Sequence, residues 1–515
     1  MMHLPLSVIC WCFFILNFIT ISTQTIEAQS VKITDFHTFN SSSPSDSFGR
    51  CVSGAGDVNG DGISDVIVGA HTDDTNGPGS GSAYVYSGVD GTILHTFSGD
   101  TTYNYFGFSV SGAGDVNGDG FDDLIVGAYL NDDNGTYSGS ARVYSGLDGA
   151  VLHTFTGDSE YDRFGVAVSD VGDLDGDGYS DVIVGADFDN NNGTNAGCAR
   201  VFSGFDGTVI YSFDGDEEFD HFGQAVNTAG DVNADEIPDL VIGAPGNNKA
   251  RVFSGADGSL LYEFFGSVSS PHLFGAAVGG AGDVNGDGFA DILVGAHRFT
   301  DDERVDRGKV IVYSGADGSA LFTLLGEDAF DRLGNSVSRA GDINQDGFDD
   351  FIVGISANDT NAPEAGTARV YSGADGSILF EVEGDSPIDF FGKSVSDAGD
   401  IDGDGATDLI VGGLGTDTVR IFSLTPLEFK RGDVTGDGVI NLADPIQVLN
   451  IILSAASNLC ADASDANDDG VVDIADVGYL LATMFQEGTL PPDPGFQCGI
   501  DPTDDDLGCD TPNCP

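Results

Sequence analysis

Short apolar runs of five or six residues, each bounded by glycine and aspartate, recur along most of the chain at a nearly constant interval. The marker of each repeat is Phe-Gly, whose first residue stands at Phe48, Phe106, Phe164, Phe222, Phe274 and Phe391, with Leu333 taking its place once. Successive markers are 58, 58, 58, 52, 59 and 58 residues apart. Regular spacing of this kind predicts seven copies of one structural unit.

Each copy contains four segments with the composition of short β-strands. In the first copy a small polar segment after Phe48 is followed by "DVIVGA", "SAYVY" and "TILHTF", which are rich in Val, Ile, Tyr and Phe. The sequence "SGVDGT" between the third and fourth segments is typical of a hairpin turn. Four-stranded units repeated about an axis are typical of a β-propeller, and an open β-solenoid is the alternative.

The two ends of the repeat region favour the closed propeller. The segment "VKITDFHTF" at 31–39 matches a fourth strand, whereas the seventh copy stops at its third strand, "TVRIFSL" at 418–424. The first segment could therefore complete the last unit, and closure would remove exposed sheet edges that invite aggregation. We predict a mainly β fold with a seven-bladed propeller over residues 31–424, closed by an N-terminal outer strand.

An Asp-rich loop follows the first strand of each copy. Its pattern, D-x-[DN]-x-D-G-x-x-D in six of the seven copies, offers side-chain oxygens at the first, third, fifth and ninth positions. Carboxylates ~4 Å apart repel by a few kcal/mol per pair at an effective dielectric of ~20, so these loops predict a bound cation. A turn without metal is the alternative.

We predict up to seven Ca²⁺ ions with a structural role, because a catalytic metal would occur once rather than in every blade. The copy at Asp231 departs from the pattern, with Ala234 and Glu236 where the others mostly have Gly. The predicted ligands are Asp57, Asn59, Asp61, Asp65, Asp115, Asn117, Asp119, Asp123, Asp173, Asp175, Asp177, Asp181, Asp231, Asn233, Asp235, Asp239, Asp283, Asn285, Asp287, Asp291, Asp342, Asn344, Asp346, Asp350, Asp400, Asp402, Asp404 and Asp408.

The order Phe-Gly, acidic loop and Gly-Ala resembles FG-GAP repeats, as in the propeller of integrin α subunits. Gly243-Ala244-Pro245 shows the complete Gly-Ala-Pro triplet. The resemblance implies a propeller whose metal loops lie on one face. It also implies that a ligand, an extracellular protein or a glycan, binds the opposite face through loops such as 71–82, 129–140 and 297–308.

The pattern changes in residues 430–485. Two loops, 433–444 and 465–476, place oxygen ligands at positions 1, 3, 5, 9 and 12 with Gly at 6, which is EF-hand spacing with Asp at position 12. Each loop precedes a helix-like apolar segment. The predicted ligands are Asp433, Thr435, Asp437, Asn441, Asp444, Asp465, Asn467, Asp469, Asp473 and Asp476.

This duplicated loop and helix resembles a type I dockerin, which implies two further Ca²⁺ ions and a cohesin-like protein partner. Thr435 departs from the usual acid or amide at position 3. The pairs Leu442-Ala443 and Ile474-Ala475 replace the hydroxyl or charged residues that dockerins use for partner recognition. Arg431-Gly432-Asp433 has the form of an adhesion motif, but Asp433 is the first ligand of the loop.

The N-terminal apolar run predicts a signal peptide at 1–28, with an uncleaved anchor as the alternative, and hence a secreted or cell-surface protein. Cys460, Cys498, Cys509 and Cys514 suggest two disulfides, the last three in a tail at 486–515 rich in Cys, Pro and Asp. Cys51 and Cys198 are expected to be unpaired and buried.

The chain has 84 acidic and 18 basic residues, which argues against a nucleic-acid partner. We expect a non-enzymatic adhesion or ligand-recognition module. A glycoside hydrolase within a polysaccharide-degrading complex is the alternative, with Glu303 and Asp306 in the least regular loop as its candidate carboxylates. A structural surface protein is a third possibility. His37, His95 and His153 repeat one strand position and are expected to serve packing.

Overall fold

The computed structural model describes residues 31–41, 43, 45–266, 272–426, 434, 442–454, 464–467, 472 and 474–485. The predicted signal peptide, the tail, its disulfides and most of the two C-terminal loops lie outside these residues. Among the described helices, none has the length and apolar character needed to span a membrane.

The repeats form seven antiparallel four-stranded sheets, as predicted. Blades 1 to 6 are β2–β5, β6–β9, β10–β13, β14–β17, β18–β21 and β22–β25, and blade 7 combines β26–β28 with β1. The strands are β1 (Val31–Asn40), β2 (Phe48–Gly56), β3 (Asp65–Ala70), β4 (Ser82–Tyr86), β5 (Ile93–Ser98), β6 (Ser109–Gly114), β7 (Asp123–Ala128), β8 (Ser140–Tyr144), β9 (Val151–Thr156), β10 (Phe164–Gly172), β11 (Asp181–Ala186), β12 (Cys198–Phe202), β13 (Val209–Asp214), β14 (Ala225–Gly230), β15 (Asp239–Ala244), β16 (Lys249–Phe253), β17 (Leu260–Phe265), β18 (Ala277–Gly282), β19 (Asp291–Gly295), β20 (Lys309–Tyr313), β21 (Ala320–Leu325), β22 (Leu333–Gly341), β23 (Asp350–Ile355), β24 (Thr367–Tyr371), β25 (Ile378–Glu383), β26 (Phe391–Gly399), β27 (Asp408–Gly413) and β28 (Thr418–Pro426).

The N-terminal strand closes the ring. β1 pairs antiparallel with β28, so that Val31 lies opposite Pro426 and Asn40 opposite Thr418. Arg420 on β28 forms an ion pair with Asp35 on β1 at 2.8 Å. The closed propeller is therefore confirmed, and the open solenoid is wrong.

The hydrophobic core lies between adjacent blades. The second strand of every blade is buried along its whole length, which explains its continuous apolar sequence. The aromatic residue of each Phe-Gly is also fully buried; Phe106, for example, joins Val85 of blade 1 and Leu124 of blade 2 in one cluster. Burying one such side chain contributes roughly 1.5–3 kcal/mol, so the Phe-Gly marker is a packing signal.

The repeated histidines on the outermost strands join adjacent blades, consistent with the predicted structural role. Their Nε2 atoms lie 2.8, 2.6 and 2.6 Å from carbonyl oxygens of the next blade, in the pairs His37–Gly88, His95–Gly146 and His153–Gly204. In two later blades a tyrosine hydroxyl donates to the corresponding carbonyl, in the pairs Tyr211–Gly255 and Tyr262–Gly315.

Two helices follow the repeats, α1 (Ala443–Ser454) and α2 (Ile474–Phe485), where apolar segments predicted them. Val448, Ala466, Val477 and Leu480 form a small buried core between and beside them. Among the ten predicted C-terminal ligands, the described ones are Asp444, Asp465, Asn467 and Asp476, of which the three aspartates are buried. The N–H of Asn467 donates to Asp476 Oδ1 at 3.3 Å.

Candidate functional site

The topology of the blades separates two faces. The first strand of each blade lines a central channel of about 1540 Å³ and leads into the acidic loop, so all seven loops lie at one end of the channel. We call this end the acidic face. Because the strands alternate in direction, the connections between strands 2 and 3 and between successive blades lie at the other end, the opposite face.

The first aspartate organises each acidic loop. In blade 1, Asp57 Oδ1 accepts the N–H groups of Gly60 and Asp61 at 2.7 and 3.0 Å, and its Oδ2 accepts that of Gly62 at 2.8 Å. Gly60 and Gly62 have φ of 74° and 87°, a conformation that favours glycine. The loop therefore winds around one carboxylate, which retains lone pairs for a further contact.

The ninth aspartate closes the loop from below. Asp65 is fully buried; its Oδ2 accepts the N–H of Val58 and its Oδ1 that of Gly88, each at 3.0 Å. Burial, with smaller contributions from Asp61 and Asp57, raises the pKa of this carboxyl to about 7 despite the two hydrogen bonds that it accepts. The ninth aspartate of every blade is fully buried, and burial raises its pKa in each; the other six are Asp123, Asp181, Asp239, Asp291, Asp350 and Asp408.

The carboxylate oxygens converge most closely in blades 3 and 7. One carboxylate oxygen from each of Asp173, Asp175 and Asp181 lies within 4.8 Å of the other two. The same holds for Asp400, Asp402 and Asp404. Asp177 and Asp408, the remaining predicted ligands of these two loops, are not part of the groups.

In several other loops the third position is Asn, as in blade 1, where Asn59 Nδ2 lies 3.3 Å from both oxygens of Asp65. The amide oxygen and nitrogen are interchangeable by rotation, so Asn59 could present its oxygen to a cation instead. A set of hard oxygens beside a buried carboxyl of raised pKa fits a divalent cation such as Ca²⁺.

The divergent loop of blade 4 keeps the same geometry. Asp231 accepts the N–H groups of Asp235 and Glu236 at 3.0 and 2.8 Å. Ala234 and Glu236 nevertheless take the left-handed conformation, with φ of 59° and 70°. The missing glycines have therefore introduced backbone strain without changing the path of the loop.

Adjacent acidic loops are hydrogen-bonded to each other, a feature that the sequence did not reveal. In five of the seven loops, the N–H at the eighth position donates to the carbonyl of the first aspartate in the preceding loop. The pairs are Ser64–Asp400, Asp122–Asp57, Ser180–Asp115, Ala290–Asp231 and Asp349–Asp283, at 2.9–3.2 Å. Blade 4 has Pro238 at this position, which has no N–H to donate.

Cationic side chains gather at the channel mouth on the opposite face. The residue after Phe-Gly lines the channel in every blade, and in the adjacent blades 7 and 1 it is Lys393 and Arg50. Burial, with smaller contributions from nearby Arg50 and Arg332, lowers the pKa of Lys393 to about 7. The Arg50 guanidinium lies 4.2 Å from the Phe108 ring centroid. The sequence shows that Arg50 and Lys393 occupy the same position within their repeats. It does not show that closure of the ring brings these two residues side by side.

A ring of exposed apolar residues lies on the opposite face, in the connections between successive blades. The residue three positions before the Phe or Leu of the marker is 50–57% exposed in five blades and has positive φ. These residues are Tyr103, Tyr161, Phe219, Phe330 and Ile388.

Cys51, expected to be buried, is half-buried because it also lines the channel, whereas Cys198 is buried as expected; both are free.

The irregular loop proposed for catalysis is held by an internal ion pair. Asp301 contacts Arg307 at 2.6 Å and accepts the N–H groups of Glu303 and Arg304 at 3.0 and 2.8 Å. These interactions lower the pKa of Asp301 to about 2, and the hydrogen bond from Arg307 makes the largest contribution. Glu303 is exposed and Asp306 contacts Thr300. Asp301, the acid that pairs with Arg307, therefore stabilises the loop.

Comparison with known proteins agrees with the geometry. An FG-GAP repeat family model matches residues 106–144, 165–198 and 274–313, and a second FG-GAP repeat model matches 40–86. Integrin alpha-5 of Xenopus laevis is 30% identical over 277 residues, which cover 52% of this chain and 21% of that protein. Integrin alpha pat-2 of Caenorhabditis elegans is 30% identical over 257 residues, covering 44% and 21% respectively.

Integrin alpha-8 of Mus musculus is 28% identical over 220 residues, covering 39% of this chain and 20% of that protein. The chain spans about a fifth of the length of the relatives it matches. These matches indicate no enzyme family, in agreement with the prediction of a non-enzymatic protein. The chain thus carries FG-GAP repeats on a seven-bladed propeller and has integrin α chains as homologues.

Proposed function

We propose that the protein is an extracellular recognition module whose propeller binds a protein or glycan ligand with its opposite face. The ring of exposed apolar residues carries this proposal, because five blades present a large apolar side chain at the same position. Aromatic residues and Arg are enriched at protein interfaces, and extended exposed apolar surface marks interaction sites.

A pair of matched variants tests the assignment of the face. Phe219 lies on the opposite face and Phe205 in the turn between strands 3 and 4, on the acidic face; they are 50% and 62% exposed. The full chain would be crosslinked to the producing organism's secreted and surface fraction, and captured partners quantified. We expect Phe219→Ser to reduce capture several-fold and Phe205→Ser to leave it unchanged. The reverse pattern would place the binding surface on the acidic face.

We further propose that Ca²⁺ binds the acidic loops and stabilises the blades. The buried ninth aspartates support this proposal, because a cation would offset carboxylate repulsion that the apo loops must otherwise bear. Thermal unfolding of the full chain would be measured in Ca²⁺, in Mg²⁺ and in chelator. We expect Ca²⁺ to raise the midpoint by several degrees. An unchanged midpoint would exclude a structural role for the cation.

We also propose that the C-terminal module, residues 430–485, attaches the protein to a cohesin-like partner. The other proposed segments of the chain are the signal peptide at 1–28, the propeller at 31–424 and the tail at 486–515. Support comes from buried Asp444 and Asp476, which occupy position 12 of their loops at the first turns of α1 and α2. Asp465→Ala in the full chain should abolish Ca²⁺-dependent capture of such a partner, whereas Asp231→Ala should not.

A further inference from the structure

Most arginines in the described part of the propeller form ion pairs with nearby acids. On the third strand of five blades, one arginine forms an ion pair with an acid in the connection from the preceding blade or, in blade 7, with an acid on β1. The pairs are Arg142–Asp100, Arg200–Asp158, Arg251–Asp216, Arg369–Glu327 and Arg420–Asp35. In a chain with 84 acidic residues, such pairing is readily available to a cation.

Three cations on the opposite face are exceptions; Arg50 and Lys393 line the channel mouth, and Arg332 lies near Lys393. Within the described part of the chain, no carboxylate oxygen lies within 4.0 Å of Arg50, Arg332 or Lys393. All three are half-buried and belong to the consecutive blades 6, 7 and 1. Partly buried charges that repel one another and lack a counter-ion are unfavourable, so an anion at this place would be strongly attracted.

Two of these cations are held in position. Lys393 Nζ donates to Asn335 Oδ1 at 2.9 Å, and Asn335 Nδ2 donates to the Lys393 carbonyl at 2.8 Å. The Arg50 guanidinium rests on the ring of Phe108. Preorganised donors lose little freedom when a ligand arrives, which favours a specific contact over a diffuse charge effect.

Two buried histidine nitrogens lie near these cations. His71 and His297 follow Gly-Ala in blades 1 and 5, and the Nδ1 atom of each is buried without a hydrogen-bond partner among the described residues. Burial, with smaller contributions from Lys393, Arg298 and Arg332, lowers the pKa of His297 to about 4. Asp187 lines the mouth in blade 3, where it faces Arg163 at 3.9 Å.

We propose that the channel mouth binds a carboxylate side chain of a protein ligand between Arg50, Lys393 and Arg332. This inference rests on the proposed recognition function and names the chemical group that the ligand presents. The surrounding apolar ring would pack against the ligand surface around the inserted carboxylate, the arrangement of a polar contact within an apolar interface.

The distribution of charge on the chain favours a protein carboxylate over a polyanionic glycan as the ligand. The three cations occupy one sector rather than a row, and the formal net charge of the chain is −66. A polymer carrying many negative charges would meet one favourable contact and repulsion elsewhere, whereas a partner with a single well-placed acid would not.

Matched peptides test this proposal on the full chain. The probe is an array of peptides presenting one Asp or Glu among neutral residues, each paired with its Asn or Gln counterpart. For the peptides that bind, we expect the acidic member to bind at least about tenfold more tightly, with the preference weakening as NaCl increases. Lys393→Gln and Arg50→Gln should abolish the preference, and Arg50→Lys should retain part of it.

Arg142→Gln is the matched control, since this arginine is already paired with Asp100 away from the mouth, and it should leave the preference unchanged. Absence of an acidic preference in every peptide pair overturns the carboxylate site while leaving recognition by the apolar ring intact. Binding of a sulfated or uronate-containing glycan that Arg50→Gln abolishes, without peptide binding, overturns the assignment to a protein. If, in addition, Phe219→Ser changes the binding of no ligand, the proposed recognition function is overturned together with the carboxylate site.

Discussion

The backbone N–H of Ser64 donates to the carbonyl of Asp400 at 3.1 Å, although these residues belong to the first and the last blade. The acidic loops are thereby linked where the ring closes, just as they are linked between neighbours along the chain. A cation that orders one loop is therefore expected to stabilise the junction with the next blade as well.

Removing a predicted ligand should weaken the response to Ca²⁺. Asp61→Asn changes an exposed acid at the fifth loop position, whose Oδ1 accepts the N–H of Ile63 at 3.0 Å. We expect a smaller Ca²⁺-induced rise in the unfolding midpoint and little change in chelator, because the amide preserves the hydrogen bond but not the charge. Asp90→Asn, in the exposed turn between strands 3 and 4 of the same blade, is the control. Equal effects of the two variants would argue against the loop as a site.

The ninth aspartates should make the cation-free protein less stable as the pH rises. An unfolded Asp has a pKa of about 3.9, whereas burial raises the pKa of Asp65 and Asp123 to about 7 in the fold. Between these values the folded chain binds more protons than the unfolded chain, so the free energy of unfolding decreases with increasing pH. The effect is on the order of 1 kcal/mol or more per site.

Urea unfolding in chelator at pH 5 and pH 7.5 measures this difference. About 1 M NaCl in both samples screens repulsion between exposed charges without removing the effect of burial. Ca²⁺ should reduce the loss of stability at the higher pH, because it binds the ionised form. A flat profile in chelator would show that the carboxyls ionise freely in the folded loops.

The strained loop of blade 4 should be improved by glycine. Glu236 has φ of 70° and the corresponding Gly288 of blade 5 has φ of 86°. We expect Glu236→Gly to stabilise the protein by about 1 kcal/mol, since a non-glycine residue costs about that much in this conformation. Gly288→Glu is the reciprocal change, at a site with no atom within 4 Å of the added Cβ, and should destabilise by a similar amount. Denaturant unfolding at fixed Ca²⁺ measures both.

The closing strand should contribute as much as an internal one. Phe39 on β1 stacks on Tyr86 with ring centroids 4.1 Å apart, and Phe97 on β5 stacks on Tyr144 at the same distance. We expect Phe39→Ala and Phe97→Ala each to lower the free energy of unfolding by about 3 kcal/mol, as measured by denaturant unfolding. If Phe39→Ala left the free energy of unfolding unchanged while Phe97→Ala lowered it, β1 would not close the ring in solution.

The sequence predicted features that repeat, and it failed on features that depend on neighbouring blades. Phe-Gly and the buried second strand are local packing signals, and the offset of β1 relative to "TVRIFSL" revealed closure. The Ser64–Asp400 contact uses backbone atoms only, so no side-chain pattern records it. Arg50 and Lys393 occupy a variable repeat position, and their adjacency exists only once blade 7 meets blade 1.

The register of β1 has a mechanical consequence. Val31 lies opposite Pro426, so the two ends of the propeller lie side by side at the same end of one strand pair. A force pulling residues 31 and 426 apart would open this pair one hydrogen bond at a time instead of shearing all of them together. If the propeller bears tension through the chain segments that flank it, blade 7 would unzip first and at low force, while a load entering through the opposite face would bypass it.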